Sequence, residues 1–245
     1  MITPWELYRS CGWSAKRIWR ASKQYRPRNW LRYWSQKRAY LATGTDEKLI
    51  HSPCITDWSS HMPMEPIYYY QDSWAFERIV DFKPARHVDI GSHHKFVALL
   101  SKVVPTVTVD IRPLELQLDS LQFMEGSILD LPFEDGSCEC VSSICVVEHI
   151  GLGRYGDPID RDGTIKAAKE LTRVLAPGGR LLISVPISEE NCVYFNAHRS
   201  FQEETILSYF EPLKVTQKRY IYGGEFGDKR QSRNGTGLYE LTREA

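Results

Sequence analysis

The turn after the first strand-like run, His87-Val88-Asp89-Ile90, lacks the G-x-G-x-x-G pattern, and the chain has no C-x-x-C pair, no internal repeat and no run of about 18 apolar residues. Each absence excludes something. Without three glycines at that turn there is no open backbone cradle there for a dinucleotide's pyrophosphate. Without C-x-x-C spacing, neither a paired-cysteine zinc site nor a thioredoxin-like centre is encoded. The six cysteines (Cys11, Cys54, Cys138, Cys140, Cys145 and Cys192) are expected as free thiols in a reducing compartment. Without a long apolar run no transmembrane helix is expected. The opening Trp5-Glu6-Leu7-Tyr8-Arg9 is too polar for the core of a signal peptide, so a cytoplasmic location is expected. The absence of repeats leaves an ordinary domain with an appendage as the expectation for 245 residues.

Charge is balanced overall, with 31 basic and 31 acidic residues, but not locally. Residues 1–40 carry +9 and five of the seven tryptophans: Trp5, Trp13, Trp19, Trp30 and Trp34. A basic, Trp-rich amphipathic segment suits an anionic membrane surface, with rings at the headgroups and Lys or Arg on the phosphates. The alternative is a helical arm that packs its aromatics on the acidic remainder. Nucleic acid is not the expected partner. The expected organisation is a basic helical arm over 1–45, a linker and leading helix over 46–85, and the main domain over 86–245.

From residue 86 onward, apolar runs alternate with helical periodicity. Strands are predicted at 87–91, 106–111, 121–125, 139–144, 179–186, 214–222 and 236–242. Helices are predicted at 94–103, 163–175 and 202–210, with a further helix in the second half of 67–82. Asp162 is the predicted N-cap of the helix near Gly163, and Pro177-Gly178-Gly179 the turn that follows it. This is an α/β pattern: a doubly wound, mostly parallel, seven-stranded Rossmann-like sheet whose last two strands form an antiparallel pair at one edge.

Two of the strands end in aspartate, Asp89 and Asp110, twenty-one positions apart. In nucleotide-binding sheets the second acid grips a ribose. Here the first turn reads Gly91-Ser92-His93-His94-Lys95, and two histidines would crowd a pyrophosphate. A nucleoside without phosphates has no such difficulty. S-adenosyl-L-methionine is a ligand of that kind. It needs one close backbone approach, a carboxylate for the ribose, a wall for adenine and an open mouth for the methyl group.

Further along, Leu131-Pro132-Phe133-Glu134-Asp135-Gly136-Ser137, then Val141-Ser142-Ser143 with Val147-Glu148-His149-Ile150, then 170–186 (ELTRVLAPGGRLLISVP) complete a set. Together with the two aspartates, this set resembles the class I S-adenosylmethionine-dependent methyltransferases over residues 86–186. The run 146–163 (VVEHIGLGRYGDPIDRDG), with 195–201 (FNAHRSF) and 68–75 (YYYQDSWA), resembles a bacterial methyltransferase-like family that accompanies surface-polysaccharide glycosyltransferases. The resemblance implies that Gly91 lines the methionine end, with Ser92 beside it. It implies that Asp89 holds the loop or the amino group and that Asp110, next to Ile111, binds the ribose hydroxyls. Ser127 and Ile128 would flank adenine, and Ser143 completes the cofactor set. Many relatives carry an Asp where Ser127 stands.

Methyl transfer is an in-line displacement governed by positioning, but a hydroxyl acceptor benefits from a general base. His149 beside Glu148 is the first candidate and His198 the second. The segment 151–163 reads as a substrate loop in which Arg154, Tyr155 and Asp157 offer groups for sugar hydroxyls or a phosphate. Asn196 and Arg199 are added from the second motif. No metal is expected: Pro158 and Lys169 rule out an EF-hand in this loop, and an ion on Asp157, Asp160 and a histidine is the lesser reading. The leading expectation is O-methylation of a carbohydrate or glycolipid acceptor. The competing expectations are a catalytically silent module in a membrane-associated polysaccharide-assembly complex and an NAD-dependent oxidoreductase.

Overall fold

A computed structural model describes residues 26–44 and 48–244. It contains helices α1 (Pro27–Ala42), α2 (Pro66–Phe82), α3 (His94–Leu100), α4 (Gly163–Val174) and α5 (Glu203–Ser208). Its strands are β1 (His87–Ile90), β2 (Thr106–Asp110), β3 (Leu121–Glu125), β4 (Cys138–Ile144), β5 (Leu175–Ile187), β6 (Cys192–Tyr194), β7 (His198–Ser200), β8 (Lys214–Tyr222), β9 (Glu225–Gly227) and β10 (Gly235–Thr242). The chain divides into two compact units between Met64 and Glu65.

In the second unit, eight strands form one sheet in the order β3-β2-β1-β4-β5-β10-β8-β9. Strands β1 to β5 are parallel, and β10 runs antiparallel to both β5 and β8. The predicted antiparallel pair is therefore β8 and β10, with β10 inserted inside the sheet. The eighth strand, beyond the seven expected, is β9. Gly223, at φ +63, supplies the left-handed residue that folds it back on β8.

Both faces of the sheet are covered, which explains why β1 is buried at every residue. Helix α4 lays Ala167, Ala168, Leu171 and Val174 on one face, where Phe210 and Ile206 complete the core. On the other face, α2 buries Gln71, Trp74, Ala75 and Ile79, one helical stripe against α3 and the sheet. Trp74 Nε1 also donates to Gln217 Oε1 at 2.7 Å. The helix at 66–82, expected together with the preceding linker, thus packs as part of the sheet's unit. Lys83 ends it in the left-handed conformation (φ 55) immediately before Pro84.

Three local expectations are corrected. The predicted α4 cap, Asp162, makes no side-chain cap bond; its carbonyl accepts from Lys166 N at 3.0 Å, and its own amide is turned to Asp160 Oδ1. Pro177-Gly178-Gly179 lies inside β5 as a bulge, because Leu175 already pairs with Cys138. Residues 192–200, read only as a source of site residues, form the small hairpin β6–β7 around Asn196, at φ +59.

In the first unit, α1 has no acidic residue in its sequence PRNWLRYWSQKRAYLA and buries none of its side chains. Leu31, Trp34, Tyr40 and Leu41 are exposed along it. The Arg32 guanidinium lies 4.4 Å from the Trp58 ring centre, and Lys37 Nζ contacts His51 Nε2 at 2.7 Å. No helix among the described residues is long and apolar enough to cross a membrane. The expectations placed on residues 1–25 lie outside the described residues.

Candidate active site

The strand order reverses at β1, with β2 on one side and β4 on the other, and open α/β sheets bind ligands beyond the carboxyl ends at such a point. Asp89 organises that end. It is fully buried, and three elements converge on its carboxylate. Ser142 Oγ of β4 donates to Oδ2 at 2.6 Å; Ser92 N of the turn and Thr108 Oγ1 of β2 donate to Oδ1 at 3.1 and 3.4 Å. Burial pushes its pKa up to about 6 against the pull of these bonds. Because Ser142 gives its proton to Asp89, its oxygen accepts from His87 Nε2 (2.9 Å), which leaves His87 Nδ1 facing the Cys140 thiol (3.3 Å). Burial holds His87 neutral, down to about 3.

The turn held in this way lines a cleft of about 1010 Å³. Gly91 sits at φ +69, and a Cβ there would come 3.2 Å from Val146, so bare backbone faces the cleft. Ser92 receives Ile144 N on its hydroxyl at 3.0 Å and locks the turn to the end of β4. His93 and His94 stack at 4.3 Å and line the cleft at the start of α3, the place where glycine-fingerprint folds put a pyrophosphate. Asp89 and Ser143 do not line the cleft. Asp89 is a loop anchor, and Ser143 is buried with its hydroxyl on the Ile90 carbonyl at 3.3 Å. Both were expected among cofactor contacts, and burial behind the turn removes them from it.

Asp110, Ile111, Ser127 and Ile128 do line the cleft. Asp110 is gripped by Arg112, which donates to Oδ1 from its amide (2.8 Å) and Nε (3.0 Å) and to Oδ2 from Nη2 (2.9 Å). Ser127 Oγ accepts from Leu129 N at 3.1 Å, closing the turn that presents Ile128. The 131–137 loop behind it is clamped by α4. Glu170 accepts from Leu131 N, and Arg173 reaches the carbonyls of Leu131 and Phe133 and the Asp135 carboxylate. That clamp is the physical reason why the LPFEDGS and ELTRV segments occur together.

Beyond β4 the backbone is strained. Cys145 is a non-glycine residue at φ 54, and a single 3-10 turn, Val147–His149, follows it. This projects Glu148 and His149 toward the cleft. His149 Nδ1 lies 2.6 Å from the Ala197 carbonyl, so it carries the proton and leaves the Nε2 lone pair free, 3.7 Å from Glu148 Oε1. Glu148 is buried, and its Oε2 has no hydrogen-bond partner. Burial pushes Glu148 up to about 8; it pushes His149 down to about 4, opposed by the bond to Ala197. His198 lines the same wall, its ring 6.4 Å from that of His149.

The 151–163 loop closes this side. Asp157 braces it from within. Burial raises its pKa, but the amides of Gly151, Tyr155 and Gly153 outweigh that and hold the carboxyl below its ordinary value. Tyr155 stands between two guanidiniums, Arg112 at 4.6 Å and Arg154 at 5.0 Å from its ring centre. Arg154, Tyr155 and Asp157 line the cleft as expected of a substrate loop, while Asn196 and Arg199 do not. Asn196 is the turn residue of β6–β7. Arg199 is buried, donating to the carbonyls of Ile150, Asp160 and Arg161 and to Thr164 Oγ1, so it braces the loop from behind. Tyr68, Arg112 and Cys145 also line the cleft without having been expected there; Tyr68 opens the 68–75 motif, and Arg112 lies two residues past a recognised acid. Among the described residues no cluster of three or more His, Cys, Asp or Glu side chains is placed to hold a metal.

Residues 112–212 match a family model described as "Caenorhabditis protein of unknown function, DUF268". A 79-residue stretch is 34% identical to probable tRNA methyltransferase 9B of Mus musculus, covering 32% of this chain and 14% of that one. Among solved structures, N-methyltransferase NodS of Bradyrhizobium japonicum WM9, in complex with S-adenosyl-L-homocysteine, superposes with TM-score 0.54 at 12% identity, over 74% of this chain and 89% of NodS. The 4+2 cyclase SpnF superposes with TM-score 0.52 at 11% identity, over 71% of this chain and 82% of SpnF. The fold is the Rossmann-like fold of methyltransferases. Such remote identities establish architecture and leave the chemistry to the site.

Glu148 ties this site to stability. Its folded value of about 8 lies above the ordinary 4.5, so the native state holds the proton more tightly than the unfolded chain. The stabilisation is full at acid pH and is lost as pH rises through 8. Denaturation of the wild type between about pH 6.5 and 8.5 should show stability falling with pH, by at most about 1.4 kcal/mol per unit. Glu148→Gln should flatten that slope; an unchanged slope would remove Glu148 as its source.

Proposed function

We propose that this chain is an S-adenosylmethionine-dependent methyltransferase that O-methylates a carbohydrate or glycolipid acceptor in surface-polysaccharide biosynthesis. The observation that carries the cofactor reading is the pairing of Gly91's bare backbone with the Asp110 carboxylate on adjacent strand ends of one cleft. The donor set fits a nucleoside: an acid for the ribose, the Ile128 turn for adenine, and His93 and His94 in place of an open phosphate cradle after β1. The acceptor reading is supported by the resemblance of the 146–163 and 195–201 segments and by the tyrosine and histidine faces of the mouth, which suit a hydroxylated ring.

When bound, the cofactor supplies an electrophilic methyl on a sulfonium. The protein's own contribution is position and proton transfer. The loop anchored by Asp89 sets the methionine end, and Asp110 exchanges part of its hold on Arg112 for the ribose hydroxyls. His149, neutral and oriented by Ala197, takes the acceptor hydroxyl proton on Nε2. Glu148 Oε1 lies 3.7 Å away, and because burial keeps that carboxyl protonated it is a neutral polar neighbour of the imidazole rather than its counter-ion.

Calorimetry with S-adenosylhomocysteine and NAD tests the cofactor. S-adenosylhomocysteine should bind, and Asp110→Ala should abolish that binding; heat with NAD alone would overturn the reading in favour of an oxidoreductase. His149→Ala should retain S-adenosylhomocysteine binding and lower kcat by about 10²–10⁴-fold. Unchanged turnover would remove His149 as the base. Cofactor binding without methyl transfer to sugar or lipid-linked acceptors would favour the silent module.

A nucleic-acid acceptor is the second reading, favoured by the tRNA methyltransferase relative and by the +9 charge of residues 1–40. Methyl incorporation into bulk tRNA would select it. The acid-free α1, with Leu31, Trp34 and Leu41 exposed among its arginines and lysine, supports peripheral contact with an anionic membrane. The double variant Leu31→Glu/Trp34→Glu should then pellet less with phosphatidylserine vesicles than the wild type; equal pelleting would exclude α1 as the contact.

A further inference from the structure

The acceptor side of the cleft carries one cation with no carboxylate partner. Arg154 donates from Nη1 to the Ala197 carbonyl at 3.0 Å and lies over the Tyr155 ring, and among the described residues no acid pairs with it. Each acid nearby is committed elsewhere. Asp157 accepts from three loop amides, and Asp160 is paired with Lys166 at 2.6 Å. Asp110 is held by Arg112 at 2.9 Å. Glu148 is buried and holds its proton at neutral pH. Arg154 also lies close to the proposed chemistry, with Nη1 3.4 Å from His149 Nδ1.

An unneutralised guanidinium that is already oriented, beside aromatic faces and imidazole groups, is a receptor for an oxyanion. The fork geometry of arginine suits carboxylate and phosphate, and charge-assisted bonds are the strong ones. Deepening the methyltransferase reading, on whose acceptor side it rests, we infer that the acceptor carries an anionic oxygen group, phosphate or carboxylate, which Arg154 binds next to the methylated position. Tyr155 holds the guanidinium from one face, and the Ala197 carbonyl takes one of its five N–H groups, leaving the others for the ligand. Arg112 does not play this part, because its carboxylate partner is already in place.

Calorimetry on the full chain with glucose, glucose 1-phosphate and glucuronate, with and without S-adenosylhomocysteine, tests the inference. At least one charged probe should bind about tenfold or more tightly than glucose; which of the two does so separates phosphate from carboxylate. Arg154→Gln should abolish that preference and leave S-adenosylhomocysteine affinity unchanged, while Arg112→Gln should keep the preference. Equal binding of the three probes, no saturable binding of either charged probe, or a preference that survives Arg154→Gln would overturn it. Loss of S-adenosylhomocysteine binding alone, with the Arg154-dependent preference intact, would count against the methyltransferase reading and leave the anion site standing.

Discussion

A fully buried carboxylate, Asp89, sits at the carboxyl end of β1, and groups from β2, β4 and the following turn converge on it. Burying a carboxyl is costly unless its oxygens are bonded, so the network is satisfied only when three elements arrive together. It positions Gly91, whose bare backbone faces the cleft, and Ser92, which ties the turn to β4 through Ile144 N. The His87–Ser142 contact extends the same network down the β1–β4 interface. The site's geometry therefore rests on a residue that never touches the cleft.

The remainder of the cleft is a partition of charge. On the ribose side, Asp110 is balanced by Arg112. On the acceptor side, burial keeps Glu148 protonated and His149 neutral, and Asp157 is absorbed by its own loop. Tyr155 joins the halves by standing between Arg112 and Arg154.

Much of the sheet was legible because its signals are local. Four of its parallel strands appear as short apolar runs between turn residues, and the ranges predicted for β1, β2, β3, β4, β8 and β10 match those observed to within a residue. Expectations failed where tertiary contact outweighed local preference. Asp162 has the composition of a cap, but its side chain makes no such bond, and its amide is turned to Asp160. Arg199 and Ser143 have the chemistry of binding residues, yet both are spent inside the fold on carbonyls and a hydroxyl. Strand β9 and the β6–β7 hairpin are three-residue strands, too short to show a period.

By itself, the sequence determined the alternation of strands and helices, the two strand-end acids and the lack of a pyrophosphate cradle after the first strand. All three depend on residue type and spacing along the chain. The tertiary structure alone decided which acid faces the cleft, which tautomer His149 holds and which arginine has no carboxylate partner. Each of these depends on partners far away in the chain: Ser142 for Asp89, Ala197 for His149, and, near Arg154, the pairing of Asp110 with Arg112 and of Asp160 with Lys166 and the burial of Glu148.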